Sequence, residues 1–400
     1  MPLANSAFLA LLAAALPQDP PAQPDPAQTA ESAAATQVTI GTWNIEFLGA
    51  DPKLRRDTAP RSEDDYRKIG AYVRDLGVAA LGVQEICGLG ALSKVAAAAG
   101  PTWRAVLGTS GQWTDGKTQQ GVGFLYDARD LLLLHCEEFL DFPSERDGVN
   151  VFHRKPVTAC FRHIKSGADF RLVVVHMKAG RKDRDRQKRR AEALTLREWI
   201  QQQQDKANED QDIAILGDFN CTYGDAPEKI LTESGAATYL QHAEAGPTIL
   251  WFDEPIDQIV VGSSFSELAG QPMQAHRVLG EPARLAYRQT FSDHFACTAT
   301  LQLQGDDDPD AKFSRGPSNQ WLPVARRPTN PAVTQPPEWP IAVGQRVRVY
   351  VTHVTHQPFG EYEGVLQQPI PATSGWVVIK HHGVIHAFSS ENVVLIKPIK

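Results

Sequence analysis

Apolar and polar positions along this chain fall into two rhythms. Short apolar runs closed by polar or turn residues read as buried strands. Ile213-Ala214-Ile215-Leu216 is the plainest, and the same pattern marks strands over 78–83, 104–107, 121–126, 131–139, 157–164, 170–176, 256–261 and 295–303. Apolar residues three or four apart mark helices: Tyr66, Ile69, Val73 and Leu76 place one over 64–76. Short helices are expected over 91–99 and 227–234, and a long polar one over 184–204. Successive strands without helices between them require some antiparallel pairing. Two mixed sheets packed face to face, with helices outside, is the economical arrangement.

Beyond Gly305-Asp306-Asp307-Asp308-Pro309-Asp310 the pattern stops. Pro, Asn, Gln, Ser and Arg dominate to Pro340, too little apolar surface for a core, so 305–339 reads as a linker. From Ile341 short β runs resume: 346–351, 364–366, 375–379, 386–388 and 393–396, separated by Gly and Pro turns. That spacing predicts a small all-β domain over 340–400, an SH3-like barrel with no assigned partner. His353, His356, His381, His382 and His386 fall here and read as surface residues on hairpins, since no Cys or acid completes a metal site.

Polar clusters stand at the ends of the strands. Gly217-Asp218-Phe219-Asn220 leaves the strand ending at Leu216. Asn44 and Glu46 lie in the strand-like stretch 38–47, and alternation sends both to one side. Gln84-Glu85 closes the strand 78–83, His176 ends 170–175, Asp257 stands in 255–261, and Ser292-Asp293-His294-Phe295 opens the last strand. An acid and an amide one residue apart can hold a divalent cation or orient its water.

In this order the clusters resemble the endonuclease/exonuclease/phosphatase superfamily, the DNase I-like fold, over about Thr36 to Leu303. The resemblance implies a four-layer α/β/β/α sandwich over 37–304. It also implies a metal-dependent phosphodiesterase, most simply an endonuclease hydrolysing nucleic acid by metal-assisted water attack. Glu85 would be the main ligand of Mg²⁺ (Mn²⁺ or Ca²⁺ being alternatives), with Asn44 beside it and Asp293 reaching the metal side. Asp218 and Asn220 would position the water, Asp218 also as general base. Asp257 would orient His294 and favour its charged form. His176 would donate to a non-bridging phosphate oxygen. DNase I-like nucleases carry an Arg two residues before a Pro, as Arg154 stands to Pro156, and its fork suits a phosphate. A Glu that orients the first histidine has no clear equivalent between Gly108 and Gly121.

Other substrate classes share the fold. Inositol polyphosphate 5-phosphatases usually show a Trp before the Gly-Asp motif, an Arg after its Asn and a Cys-Asp-Arg element near the end. Leu216, Cys221 and Ser292-Asp293-His294 stand here instead. Sphingomyelinases share the Ser-Asp-His ending and stay open as the alternative. The basic run from Lys178 to Arg190 begins two residues after His176 and is either a phosphate track or a solvated helix face.

Composition narrows this picture modestly. A net charge of −7 argues against a protein that coats nucleic acid, but a nuclease needs basic residues only along its cleft. Nucleic acid, DNA rather than RNA, is the expected substrate, with no stable membrane insertion. The apolar run Ala7 to Leu16 is too short to span a bilayer and fits a secretory h-region, so 1–36 reads as a signal segment and disordered tail. Export, to the periplasm or outside, follows from that reading. No Lys or Arg precedes Lys53, so the basic n-region is missing, and the alternative is an Ala-rich tail of a cytoplasmic protein. The five cysteines give neither a disulfide framework nor a zinc site, though Cys136 and Cys160 could pair in an exported protein.

Overall fold

The computed structural model describes residues 36–49, 54–55, 58–112, 118–222, 224–314, 322, 324, 343–351, 360–367, 376–381, 384–389 and 393–398. The expected leader and tail, apart from Thr36, lie outside the described residues. Elements run β1 (Thr36–Leu48), α1 (Glu63–Asp75), β2 (Ala80–Ile86), α2 (Leu89–Ala99), β3 (Trp103–Leu107), β4 (Gly121–Asp127) and β5 (Leu131–Glu138). A small hairpin of β6 (Glu145–Arg146) and β7 (Val149–Asn150) precedes β8 (Val157–His163), β9 (Asp169–His176), α3 (Asp183–Gln204) and β10 (Ile213–Asp218). Then come α4 (Ala226–Thr232), β11 (Ala237–Tyr239), β12 (Asp257–Gly262), β13 (Gln274–Ala275), α5 (Ala283–Thr290) and β14 (Cys297–Leu303).

One six-stranded sheet takes the order β13-β14-β1-β2-β4-β3 and the other β11-β12-β10-β9-β8-β5. Both are mixed: β1–β2 and β9–β10 run parallel, and their other pairs antiparallel. Period-2 alternation sorts the side chains. Ile40, Phe124, Phe161, Val174 and Leu216 point between the sheets into one core. Trp43, Leu81 and Val83 face outward against Ile69 and Val73 of α1 and Leu92 and Val95 of α2. Val173, Val175 and Ile215 face outward against Leu196, Trp199 and Ile200 of α3 and Ile230 and Leu231 of α4. The result is the expected four-layer α/β/β/α sandwich. Gly82 lies where the sheets approach closely: a Cβ there would sit 2.1 Å from a Leu216 methyl carbon. α1 starts on a capping box, with the Ser62 hydroxyl accepting from Asp65 N–H and the Asp65 carboxylate from Ser62 N–H.

Cys136 and Cys160 do not form a disulfide. Cys136 points into the inter-sheet core, whereas Cys160 sits in register with Arg171 on the outer face. Neighbouring strands thus place the two thiols on opposite faces of one sheet.

Part of the stretch expected as a linker is held on the sandwich. Lys312 bridges Glu209, the Ser314 N–H donates to the Glu209 carboxylate (2.9 Å), and Leu322 is buried in the inter-sheet core. The shared anchor is Arg171, 1% exposed, which donates to Glu209 Oε1 (3.2 Å) and Ser314 O (3.0 Å) beneath the Phe313 ring. Removing one partner of such a buried pair strands a charge, at about 3–5 kcal/mol. Glu209→Ala should therefore lower the thermal midpoint by several degrees, as measured by calorimetry. A loss under about 1 kcal/mol would show that water replaces the carboxylate.

The C-terminal strands β15 (Arg346–Val351), β16 (Gly360–Leu366), β17 (Trp376–His381), β18 (Val384–Ser389) and β19 (Val393–Pro398) form one antiparallel sheet ordered β18-β17-β16-β15-β19. Val347, Val349, Val377 and Ile379 alternate along it as buried positions. The side chains of the C-terminal histidines lie outside the described residues. Among the described residues no helix is long and apolar enough to cross a membrane.

Candidate active site

The ladders bring the polar clusters to one end of the sandwich. Asp218, the last residue of β10, pairs in register with His176 on parallel β9 and with Asp257 on antiparallel β12. Three of the expected site residues therefore stand in one row across a sheet. On the facing sheet Asn44 pairs with Gln84, and Glu85 follows. The loop before β14 supplies Asp293 and His294, and His294 bridges Ile249. The backbone is strained here: Glu46, Phe47, Glu85 and Asn220 take positive φ (35°, 51°, 60° and 51°). Arg61 holds the end of β1 by donating to the carbonyls of Ile45 and Glu46, 2.9 Å each.

His294 is the most fully determined group. Its Nδ1 lies 2.9 Å from Asp257 Oδ2, its N–H donates to Ser292 Oγ, and its carbonyl accepts from Trp43 and Tyr287. Burial opposes its charged form, but Asp257, then Asp218 and Asp293, hold the imidazole well above its ordinary value. Asp257 is fully buried, with its backbone N–H on Thr248 Oγ1 (3.1 Å) and its second carboxylate oxygen without a hydrogen-bond partner among the described residues.

His176 behaves oppositely. Burial, then Arg154 and His294, push it well below its ordinary value, so it is neutral. Its Nε2 lies 3.4 Å from Asp218 Oδ2 and 3.9 Å from Glu85 Oε1. Its Nδ1 has no hydrogen-bond partner among the described residues, in keeping with the missing orienting Glu; residues 113–117 of that stretch lie outside the description.

Asp218 accepts from Asn44 Nδ2 (3.1 Å) and from the Asn220 N–H (2.9 Å). Asn220 also donates its amide to Met177 O (3.1 Å), so it fixes the Asp218 carboxylate and the loop beside it. Burial, partly offset by His294, pushes Asp218 up to about 7. A protonated Asp218 cannot accept a proton, so activity should rise with pH through a limb at or below about 7, a bound cation moving it lower. A kcat/KM profile flat from about pH 5 to 8 would remove Asp218 as the base.

Glu85 accepts from the Phe47 N–H at 3.2 Å. Burial first, then Asp293, raise it above the ordinary carboxylate range. Asn44 stands at the centre, but as a donor: its Nδ2 faces Asp218 and His294 Nε2, and its Oδ1 accepts from Glu46 N–H. Only an amide flip would offer its oxygen to a cation. Asp293 accepts from Trp251 Nε1 at 3.3 Å.

Two placements differ from simple alternation. The positive φ at Glu46 turns its carboxylate away from Asn44 and into ion pairs with Arg55 (3.3 Å) and Arg288 (2.7 Å). Arg154 reaches the cluster, but its fork is engaged by Gln120 Oε1 (2.6 Å) and by the carbonyls of His176 and Met177 (3.3 Å each). As placed it locks the end of β9; phosphate would have to compete for it.

Sequence reading missed three supporting groups. Glu192 of α3, 3% exposed, accepts from the N–H groups of Phe152 and Lys178 and fixes both loops. Thr248 holds Asp257. Trp251, 53% exposed, stands at the rim under Arg288. The adjacent aromatic pair Trp251-Phe252 in a stretch without periodicity was the one available signal.

The chain matches the model of the Endonuclease/Exonuclease/phosphatase family over residues 41–294. Solved structures of similar fold include family proteins from Bacteroides thetaiotaomicron (17% identity, 67% of this chain and 98% of that one, TM-score 0.50) and Bacteroides vulgatus (16%, 67% and 99%, TM-score 0.51). A mannosyl-6-phosphatase from Bacteroides thetaiotaomicron aligns at 18% identity over 66% of this chain and 98% of that one, with a TM-score of 0.48. No curated protein matches the chain.

Proposed function

Since the chain belongs to the endonuclease/exonuclease/phosphatase family, we propose that it is a divalent-metal-dependent phosphodiesterase acting on nucleic acid, DNA in preference to RNA, by internal cleavage. The observation that carries this reading is the row His176–Asp218–Asp257, closed by His294 and faced by Glu85. Four carboxylates (Glu85, Asp218, Asp257 and Asp293) meet one imidazole held charged, and one Asp257 oxygen is buried without a hydrogen-bond partner among the described residues. So negative and oxygen-rich a set fits a hard cation such as Mg²⁺, with Mn²⁺ or Ca²⁺ as alternatives.

Glu85 and Asp293 would hold the cation. When bound it polarises a phosphoryl oxygen as a Lewis acid. Asp218 takes the proton of the attacking water, its carboxylate aimed by Asn44 and by the Asn220 N–H. Neutral His176 donates from Nε2. Charged His294, oriented by Asp257, donates to the oxygen on which charge grows. Preorganised donors of this kind are worth about 3 kcal/mol each.

A polymeric anion is favoured by the rim. Arg181, Lys182 and Arg184 are exposed just beyond His176, and Arg181 lies over the Phe252 ring at 4.6 Å. Trp251 offers a face for stacking a base. Two further parts of the reading concern the ends of the chain: residues 340–400 would close as an SH3-like barrel, and 1–36 would direct export. The substrate test compares plasmid DNA, RNA and a sphingomyelin analogue with Mg²⁺. Conversion of supercoiled plasmid to nicked circles supports the reading; turnover of the lipid analogue alone would move the protein to the sphingomyelinase class.

A further inference from the structure

The geometry points to a second cation site, for Ca²⁺, at the end of the sandwich remote from the catalytic cluster. It joins Asp212 and Glu267 to Asp307 of the segment after β14, with Asp306 and Asp308 clustered about Asp307. Asp212 precedes β10 and Asp218 closes it, so the two sites stand a strand length apart, roughly 20 Å.

The acids alone would mean little, since such clusters are common on surfaces. Asp212 is different: it is 6% exposed, and among the described residues its carboxylate takes no hydrogen bond and no ion pair. A largely buried carboxylate with no protein partner is disfavoured. Its oxygen lies within 4.8 Å of carboxylate oxygens of Glu267 and Asp307, as do those of Asp306, Asp307 and Asp308 among themselves. Oxygens sharing one Ca²⁺ at about 2.4 Å stand no more than about 4.8 Å apart. Asp308 Oδ1 is buried with no hydrogen-bond partner among the described residues. Asp210, 2% exposed, has one oxygen on the Asp212 N–H (2.9 Å). Neither Asp210 nor any of the five clustered acids is ion-paired to a cationic side chain among the described residues.

Such an ion would have a structural consequence. The Asp210 N–H donates to Lys312 O (3.2 Å), so the segment carrying Asp306–Asp308 already lies along the strand that carries Asp212. A cation bridging them would clamp that segment to the core. The chemistry is all-oxygen and the geometry irregular, as Ca²⁺ tolerates.

The test uses the full chain carrying Glu85→Gln, so that the catalytic site does not report. Chelator-treated protein is unfolded thermally with and without Ca²⁺. The midpoint should rise by about 5 °C at a hundredfold excess over Kd. Adding Asp307→Asn, at an exposed position, or Asp212→Asn should abolish most of that rise. In an otherwise unaltered chain Asp307→Asn should leave Mg²⁺-dependent hydrolysis unchanged. No rise with Ca²⁺, or a rise that survives Asp307→Asn, overturns the site; if Asp212→Asn fails to fold, the Asp307→Asn result decides.

Discussion

Glu85→Gln should lower kcat/KM by at least about a thousandfold, the loss of roughly 4 kcal/mol of transition-state stabilisation that a bound cation supplies. The change is isosteric, and the new amide oxygen can still accept from the Phe47 N–H. The fold should survive, with a further sign attached. Burial and Asp293 raise Glu85 in the folded protein, so its charged form opposes folding above its unfolded value. Neutral Gln removes that opposition, and the metal-free variant should melt no lower than wild type near neutral pH. The pairing of lost turnover with an undiminished midpoint separates a ligand from a structural acid. Near-wild-type turnover in saturating Mg²⁺ would take the metal role away from Glu85.

The second large effect is expected at Asp257 and His294. Asp257→Asn removes the charge that fixes His294 Nδ1 and leaves the ring without its preferred tautomer. Each single change should cost about a hundredfold to ten-thousandfold in kcat. The double variant should cost little more than either, because the pair acts as one unit. Losses that multiply would show that Asp257 supports something other than His294.

The sandwich was legible because its strands are apolar runs ending in polar pairs. Ile213 to Leu216, buried on both faces between the core and α3, is such a run, and the side chain at its end is Asp218. Helix α1 was legible because four apolar residues share one face. Helix α5 was not: it has 8 residues and one buried side chain, Tyr287, too short a span for its period to stand out. Glu46 was misplaced because alternation assumes an extended backbone and φ is positive there. Arg154 was found as a residue but not as a clamp, since its partners are backbone carbonyls far along the chain. The acidic run after Gly305 looked like solvated linker, and only the fold shows Asp306–Asp308 lying against Asp212 and Glu267. In each case the sequence carried residue types and spacing, while contact between distant segments decided what they do.

The most direct test of the central claim is hydrolysis of bis(p-nitrophenyl) phosphate, a phosphodiester with no base, sugar or lipid to recognise. Turnover should appear with Mg²⁺, vanish with chelator, return when Mg²⁺ is restored, and be absent in Glu85→Gln. Turnover that ignores the chelator, or that Glu85→Gln retains, would contradict a metal-dependent phosphodiesterase centred on Glu85, Asp218 and His294.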